Sequence, residues 1–259
     1  MIDLHCHVLP GIDDGPETIE DSLELARTAS AAGTHTLVAT PHVSLRYPND
    51  AATIARLVEE LNERLRAERI AIEVRPGAEI ALTSAVDMAP EQLAELGLGG
   101  GSWLLIEPPF TPAASGIDAI LHDIVRGGHR VVLAHPERCP AFHRDRLVLE
   151  SVVRAGVLTS ITAGSLVGRF GGDVRRFARE LVRDGLVHNI ASDAHDHAHR
   201  APGIAAELRE AHLQPLADWL TQQVPAAILD GGEIPPPPAG VTEQLHSQPP
   251  RRAWWRRRG

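Results

Sequence analysis

The 259-residue sequence predicts an α/β fold of seven strands and intervening helices, arranged as a closed or nearly closed barrel. Three features predict it. Seven short runs rich in aliphatic and β-branched residues alternate with stretches of helical period. Most of these runs are apolar on successive residues, the pattern of parallel strands buried on both faces. No GxGxxG turn follows any of them, which leaves a doubly wound open sheet as the weaker alternative.

The strand segments fall at 2–8, 34–40, 70–80, 103–107, 130–135, 158–163 and 188–193. The first helix is predicted between Pro16, suited to a helix start, and a stop at Gly33, with Ile19, Leu23 and Ala26 on one face. Residues 51–69 give the second, with Ile54, Leu57, Val58, Leu61 and Leu65 on its buried side. Further helices are expected at 117–126, 144–155, 173–183 and 204–212. The barrel domain is bounded at 1–231. Residues 232–259 read as a Pro-rich linker with four consecutive prolines, then a basic Trp/Arg tail, predicted to be disordered.

Charge is divided unevenly. The net value of −9 hides a tail with five arginines against two glutamates, so residues 1–231 stand at −12. An acidic domain of this kind disfavours nucleic acid as a partner. The clustered arginines with Trp254 and Trp255 would suit a weak contact with an anionic membrane surface. Apolar runs fall short of the ~20 residues needed to cross a bilayer, and Asp3 interrupts any secretory leader. Cys6 and Cys139 are too few for a disulfide framework, so a reducing, cytoplasmic setting is expected. All 25 basic residues are arginine. This excludes Schiff-base chemistry, a P-loop lysine and metal pairs bridged by a modified lysine.

Histidine is abundant, with 14 in the chain, and its placement is the chemical signal. His5 and His7 end the first strand two residues apart and so project to one side. His42, Glu79, Glu107, His135, Asp193 and His195 each sit at the end of a later strand. In a parallel barrel those ends share one rim. Burying so many ionisable groups is costly unless a cation compensates them, so metal binding is expected, with mixed nitrogen and oxygen ligands suiting Zn, Mn or Fe.

The runs MIDLHCHVLPGIDDG, GAEI, LLIE and AHPERC, with ASDAH followed by an arginine and a proline, resemble the polymerase and histidinol phosphatase (PHP) superfamily. Within it they are most similar to the bacterial tyrosine-protein phosphatases encoded with capsular and exopolysaccharide genes. The resemblance covers residues 1 to about 231. It implies a distorted seven-stranded barrel holding three divalent ions, Mn first, with Fe or Zn as alternatives. His5, His7, Glu79 and Asp193 would hold the first metal. Glu79 would bridge to a second, also bound by Glu107 and His135. His42, His195 and Asp14 would hold the third, with Asp13 an adjacent competitor for Asp14. Arg138 and Arg200 would grip phosphate, and with Asp193 they form the expected catalytic set.

The reaction so implied is hydrolysis of phosphotyrosine by attack of a metal-bridged hydroxide. The expected partner is a phosphotyrosine protein, the tail of a bacterial tyrosine kinase governing polysaccharide export. Small phosphate monoesters such as histidinol phosphate are the alternative substrates. A non-catalytic, metal-stabilised partner of an export complex is the alternative of another class. Around these residues, Asp3 is expected to orient a histidine, and Glu137 to face away and pair with an arginine. His197 and His199 should lie in a solvated loop, and Cys6 should face the helices. Cys139, which lacks the CxxxxxR loop of thiolate phosphatases, takes a place where the family often has tyrosine, at the rim of the substrate pocket.

Overall fold

The computed structural model describes residues 1–112 and 116–239. Among these, nine strands form: β1 (Ile2–Cys6), β2 (Thr36–Ala39), β3 (His42–Val43), β4 (Glu73–Pro76), β5 (Glu79–Ala81), β6 (Trp103–Glu107), β7 (Arg130–Ala134), β8 (Leu158–Thr162) and β9 (Asn189–Ala191). Every pairing is parallel. They make one sheet of order β1-β2-β4 and a second of order β3-β5-β6-β7-β8-β9.

The expected closed or nearly closed barrel of seven strands is therefore corrected: the α/β alternation and parallel pairing are present, but the ladder is split, and the described residues form no closed barrel. The split has a local cause. The segments 34–40 and 70–80, each expected to be one strand, are interrupted at the same level. Thr40 and Pro41 separate β2 from β3, and Gly77 and Ala78, which follow Pro76 at the end of β4, separate β4 from β5. Gly77 is needed there because a Cβ would lie 2.8 Å from Val38 Cγ1. On the other side β1 meets the chain after β9 through one isolated bridge, Cys6 with Ala194, and through the Asp193 N–H donating to the His5 carbonyl at 2.9 Å.

Helices cover the strands. Ile19–Ala31 begins later than Pro16 because Thr18 is the N-cap, its hydroxyl accepting from the Asp21 N–H while the Asp21 carboxylate reaches back to the Thr18 N–H. Ala51–Ala67 starts at Asp50, whose carboxylate accepts from Thr53 N–H at 2.8 Å. Ile117–Arg126 and Gly172–Arg183 lie where periodicity predicts them. The stretch 144–155 resolves into Pro140–Arg144 and Arg146–Arg154, since Asp145 is extended and caps the second piece. Ile204–Glu210 is shorter than expected. None of the described helices is long and apolar enough to cross a membrane.

Most strand positions are buried, and β1 and β8 are buried at every position. Aliphatic residues from both sheets and the covering helices form one continuous core. Such a core fixes the strand ends rigidly, which is what a multi-ligand site requires. At the end of the described chain, Ile234 packs on the core and Trp219 Nε1 donates to the Pro235 carbonyl at 2.9 Å. The basic part of the predicted tail lies outside the described residues.

Candidate metal centre

The site forms where the strands end. His5 and His7, on β1 and just beyond it, bring their Nε2 atoms within 3.3 Å of each other. His42 and Glu79 open β3 and β5 and are register partners, so their side chains meet across the ladder, His42 Nδ1 lying 3.1 Å from Glu79 Oε2. Glu107 ends β6. His135 and Asp193 follow β7 and β9, both in the left-handed region at φ 30° and 51°. Non-glycine residues rarely adopt that conformation, and at functional sites such strain is held by surrounding structure.

Glu79 is the hub. Its Oε2 lies 3.2 Å from His5 Nε2 and 3.3 Å from His7 Nε2, while Oε1 lies 2.8 Å from His135 Nε2. Oε2 is nonetheless buried without a hydrogen bond of acceptable geometry. A buried carboxylate oxygen ringed by imidazole nitrogens but hydrogen-bonded to none fits a position shared with a cation. Four clusters have their donor atoms within 4.8 Å of one another: His7, Asp14, His42 and His195; His5, His7 and Asp193; His5, Glu79 and His135; His42, Glu79 and Glu107. The mixture of imidazole and carboxylate donors fits divalent transition metals, and a lysine bridge is unnecessary because Glu79 faces two clusters at once.

Electrostatics point the same way. Burial opposes ionisation of Glu79, but the charge on His5 and the close approach of the His135 and His42 imidazoles hold it well below the usual carboxylate range. Burial and the neighbouring Glu79 push Glu107 up to about 7. Burial also opposes the charged form of His7, yet the hydrogen bond to Asp13 and the nearby Glu79 carboxylate raise it to about 10. Burial, then Arg138, lowers His135 to about 4, which favours the form with one ring nitrogen unprotonated. Carboxylates this buried demand compensating positive charge, from protons on histidine or from metal that displaces them.

The loop 11–15 distinguishes the two aspartates. Asp14 Oδ1 is 3.4 Å from both His42 Nε2 and His195 Nε2. Asp13 turns inward: Oδ2 lies 2.7 Å from His7 Nδ1 and accepts the His42 N–H at 3.1 Å, while Oδ1 accepts the Gly15 N–H at 2.9 Å. Gly15 permits this approach, since a Cβ there would stand 2.6 Å from the His7 carbonyl oxygen. Asn49 ties the loop down by donating to the carbonyls of Ile12 and His42.

Asp193 divides its oxygens. Oδ1 faces His5 at 3.5 Å and His7 at 3.6 Å, whereas Oδ2 accepts from Arg138 Nη1 at 2.5 Å and Arg200 Nη2 at 2.8 Å. Arg200 Nε is buried with no partner, a donor left free beside the cleft. The cleft over these residues has a volume of about 340 Å³.

The family model described as capsular polysaccharide synthesis, CpsB/CapC, matches residues 1–216. The chain belongs to the CpsB/CapC family. It is 39% identical over 199 residues to tyrosine-protein phosphatase YwqE of Bacillus subtilis, covering 76% of this chain and 78% of that protein. It is 31% identical over 201 residues to the putative tyrosine-protein phosphatase CapC of Staphylococcus aureus, covering 77% and 79%. A solved structure from the work on YwqE of Bacillus subtilis and CpsB of Streptococcus pneumoniae, described as unique metal-dependent tyrosine phosphatases, superposes with a TM-score of 0.82 at 35% identity, over 92% of this chain and 98% of that one.

In this CpsB/CapC chain all nine side chains expected as ligands, with both arginines, converge on one cleft or its floor. Several neighbours differ from expectation. Among the described residues Asp3 makes no hydrogen bond to an imidazole ring; its Oδ1 accepts the backbone N–H of His5 and Ser192, so it joins β1 to the turn carrying Asp193. Glu137 is buried but pairs with no arginine: its Oε1 accepts from the Thr162 N–H at 3.0 Å and the Ser165 hydroxyl at 2.6 Å. Cys139 is buried, its thiol directed at the Pro109 carbonyl, and does not line the cleft. Cys6 is buried with its thiol towards the Ala194 carbonyl, and His197 and His199 are exposed. Sequence reasoning missed Arg46, Tyr47 and Phe110 in the cleft wall. The signal available was scarcity: Tyr47 is the only tyrosine, and Phe110 one of four phenylalanines.

Proposed function

We propose that the chain is a metal-dependent protein-tyrosine phosphatase that acts on a bacterial tyrosine kinase of polysaccharide synthesis or export. The observation that carries this is Asp193, with one oxygen on the histidine cluster and the other holding Arg138 and Arg200. A phosphate bound there would meet the guanidinium groups and the ligand cluster together. The relatives named as tyrosine-protein phosphatases support the choice of ester.

His5, His7, Glu79 and Asp193 would hold one ion, Glu79, Glu107 and His135 a second, and His42, His195 and Asp14 a third; manganese is the proposed metal. When bound, such ions supply Lewis acidity and a water ionised near neutral pH. The protein's own part is positional. Glu79 spans two clusters, Asp13 fixes the His7 ring, and Asp193 aims both arginines into the cleft, where a forked guanidinium can bond two phosphate oxygens at once. The metal charge would dominate the pocket, so the acidic exterior does not exclude a dianionic ester. A cytoplasmic location follows from the kinase as substrate.

The test is phosphate release by the purified, manganese-loaded chain from a phosphotyrosyl peptide and from histidinol phosphate. Preferential turnover of the peptide is expected. Efficient hydrolysis of histidinol phosphate with none from the peptide would replace this reading with a small-ester phosphatase.

A further inference from the structure

Two aromatic side chains line a cleft whose remaining walls are almost entirely charged or polar. Aromatics make up only 3% of this sequence, with one tyrosine and four phenylalanines. Tyr47, in the loop after β3, stacks on His42 with ring centroids 5.6 Å apart and planes 11° from parallel. Phe110, in the loop after β6, stacks on His135 at 5.4 Å and 23°. Each therefore stands beside a proposed ligand, at the cleft wall rather than at its floor. Phe110 keeps 45% of its surface exposed, among the few large apolar side chains on the surface. Exposure of that ring costs free energy in the free protein unless something apolar covers it.

We propose that Phe110 and Tyr47 are specificity-determining residues that select aryl over alkyl phosphate monoesters, an inference that rests on the phosphatase reading above. With phosphate held at Arg138, Arg200 and the ligand cluster, an aryl ester must pass its ring along the cleft wall where these aromatics stand. Aromatic pairs gain from offset or edge-to-face contact beyond the area they bury. A phosphoserine side chain is too short and too narrow to fill the same space, so it leaves both rings in water. Arg138 also lies over the Phe110 ring, its guanidinium carbon 5.1 Å from the centroid, and over Phe170 at 4.5 Å. Loss of Phe110 could therefore weaken phosphate binding in general, and the test must separate that from selectivity.

The readout is the ratio of kcat/KM for a phosphotyrosyl peptide to that for the phosphoseryl peptide of the same sequence, with manganese-loaded full-length protein. Phe110→Ala is expected to lower the ratio about 5-fold, and the double variant Phe110→Ala, Tyr47→Ala about 10-fold or more. Phe110→Tyr and Tyr47→Phe, which keep the rings, should hold the ratio within about 2-fold. Weakened placement of Arg138 would slow both peptides together, so an unchanged ratio in the alanine variants overturns the inference. A wild-type protein that hydrolyses the two peptides equally also overturns it while leaving the phosphatase reading intact. Failure to hydrolyse either peptide overturns both.

Discussion

Asp193 Oδ2 lies 2.5 Å from Arg138 Nη1, and the same oxygen holds Arg200 Nη2 at 2.8 Å. A single carboxylate thus ties both arginines proposed to hold phosphate to the histidine cluster. Asp193 stays ionised although burial opposes it, because His5, His135 and the two arginines hold its carboxyl below the usual range. The guanidinium groups are aimed before substrate arrives, so little reorganisation is left for the bound state.

Arg138→Lys should therefore be costly despite keeping the charge. Lysine cannot bond Asp193 and a phosphate oxygen through one planar fork. A fall of about 100-fold in kcat/KM on a phosphotyrosyl peptide is expected, at unchanged metal content. Retention of near wild-type turnover would show that Arg138 is a surface cation with no part in phosphate recognition.

Asp13 should govern metal affinity without touching the metal. Its Oδ2 fixes His7 through Nδ1 at 2.7 Å, leaving Nε2 to face Glu79. Partners of this kind typically contribute 10- to 100-fold in affinity, so Asp13→Ala should weaken manganese binding by about that factor in calorimetric titration. Asp13→Asn, which keeps an acceptor but loses the charge, should fall between. Equal affinities across the three proteins would remove the assigned role.

The difference between Asp13 and Asp14 marks how far the sequence could be read. Strand ends are legible because burial and β-branching identify strands, and side-chain alternation then places His5 and His7 on one face. The convergence of His42, Glu79, Glu107, His135 and Asp193 follows from parallel topology alone. What the pattern did not reveal depends on short-range backbone geometry. Breaks at Thr40 and Pro41 and at Gly77 and Ala78 interrupt two segments and split the sheet that was expected to close or nearly close. Loop 11–15 turns Asp13 inward only because Gly15 allows it. Phe110 and Tyr47 occupy loops without periodicity, and nothing in their local sequence indicates that both enter one cleft. Glu137 is expected to face away from His135 and pair with an arginine, but its carboxylate accepts from Thr162 and Ser165, which depends on contacts 25 and 28 residues away.

Metal should stabilise the fold as well as activate it. Cations bound only by the folded state raise stability by about 2.7 kcal/mol at a hundredfold excess over Kd. For a chain of this size that corresponds to roughly 5–10 °C in Tm. Chelation should lower Tm by about this amount and manganese should restore it, whereas Glu79→Ala should be insensitive to both. A wild-type Tm that does not respond to chelator or manganese would count against metal at this cluster.

Away from the site, His188 should make stability fall in mild acid. Its Nδ1 accepts the backbone N–H of Thr159 at 3.1 Å, and burial lowers its pKa to about 4. The unfolded chain protonates this imidazole near its ordinary value of 6.5. Between those two values the unfolded state binds more protons than the folded one, so stability decreases as pH drops through that window. The contribution is complete above the unfolded value and amounts to about 3 kcal/mol at most. His188→Asn can keep an acceptor for Thr159 but does not titrate. With chelator present in both samples to remove bound metal, the drop in Tm between pH 7 and pH 5 should be smaller in the variant. Parallel Tm profiles for the two proteins would show that His188 does not contribute to acid sensitivity.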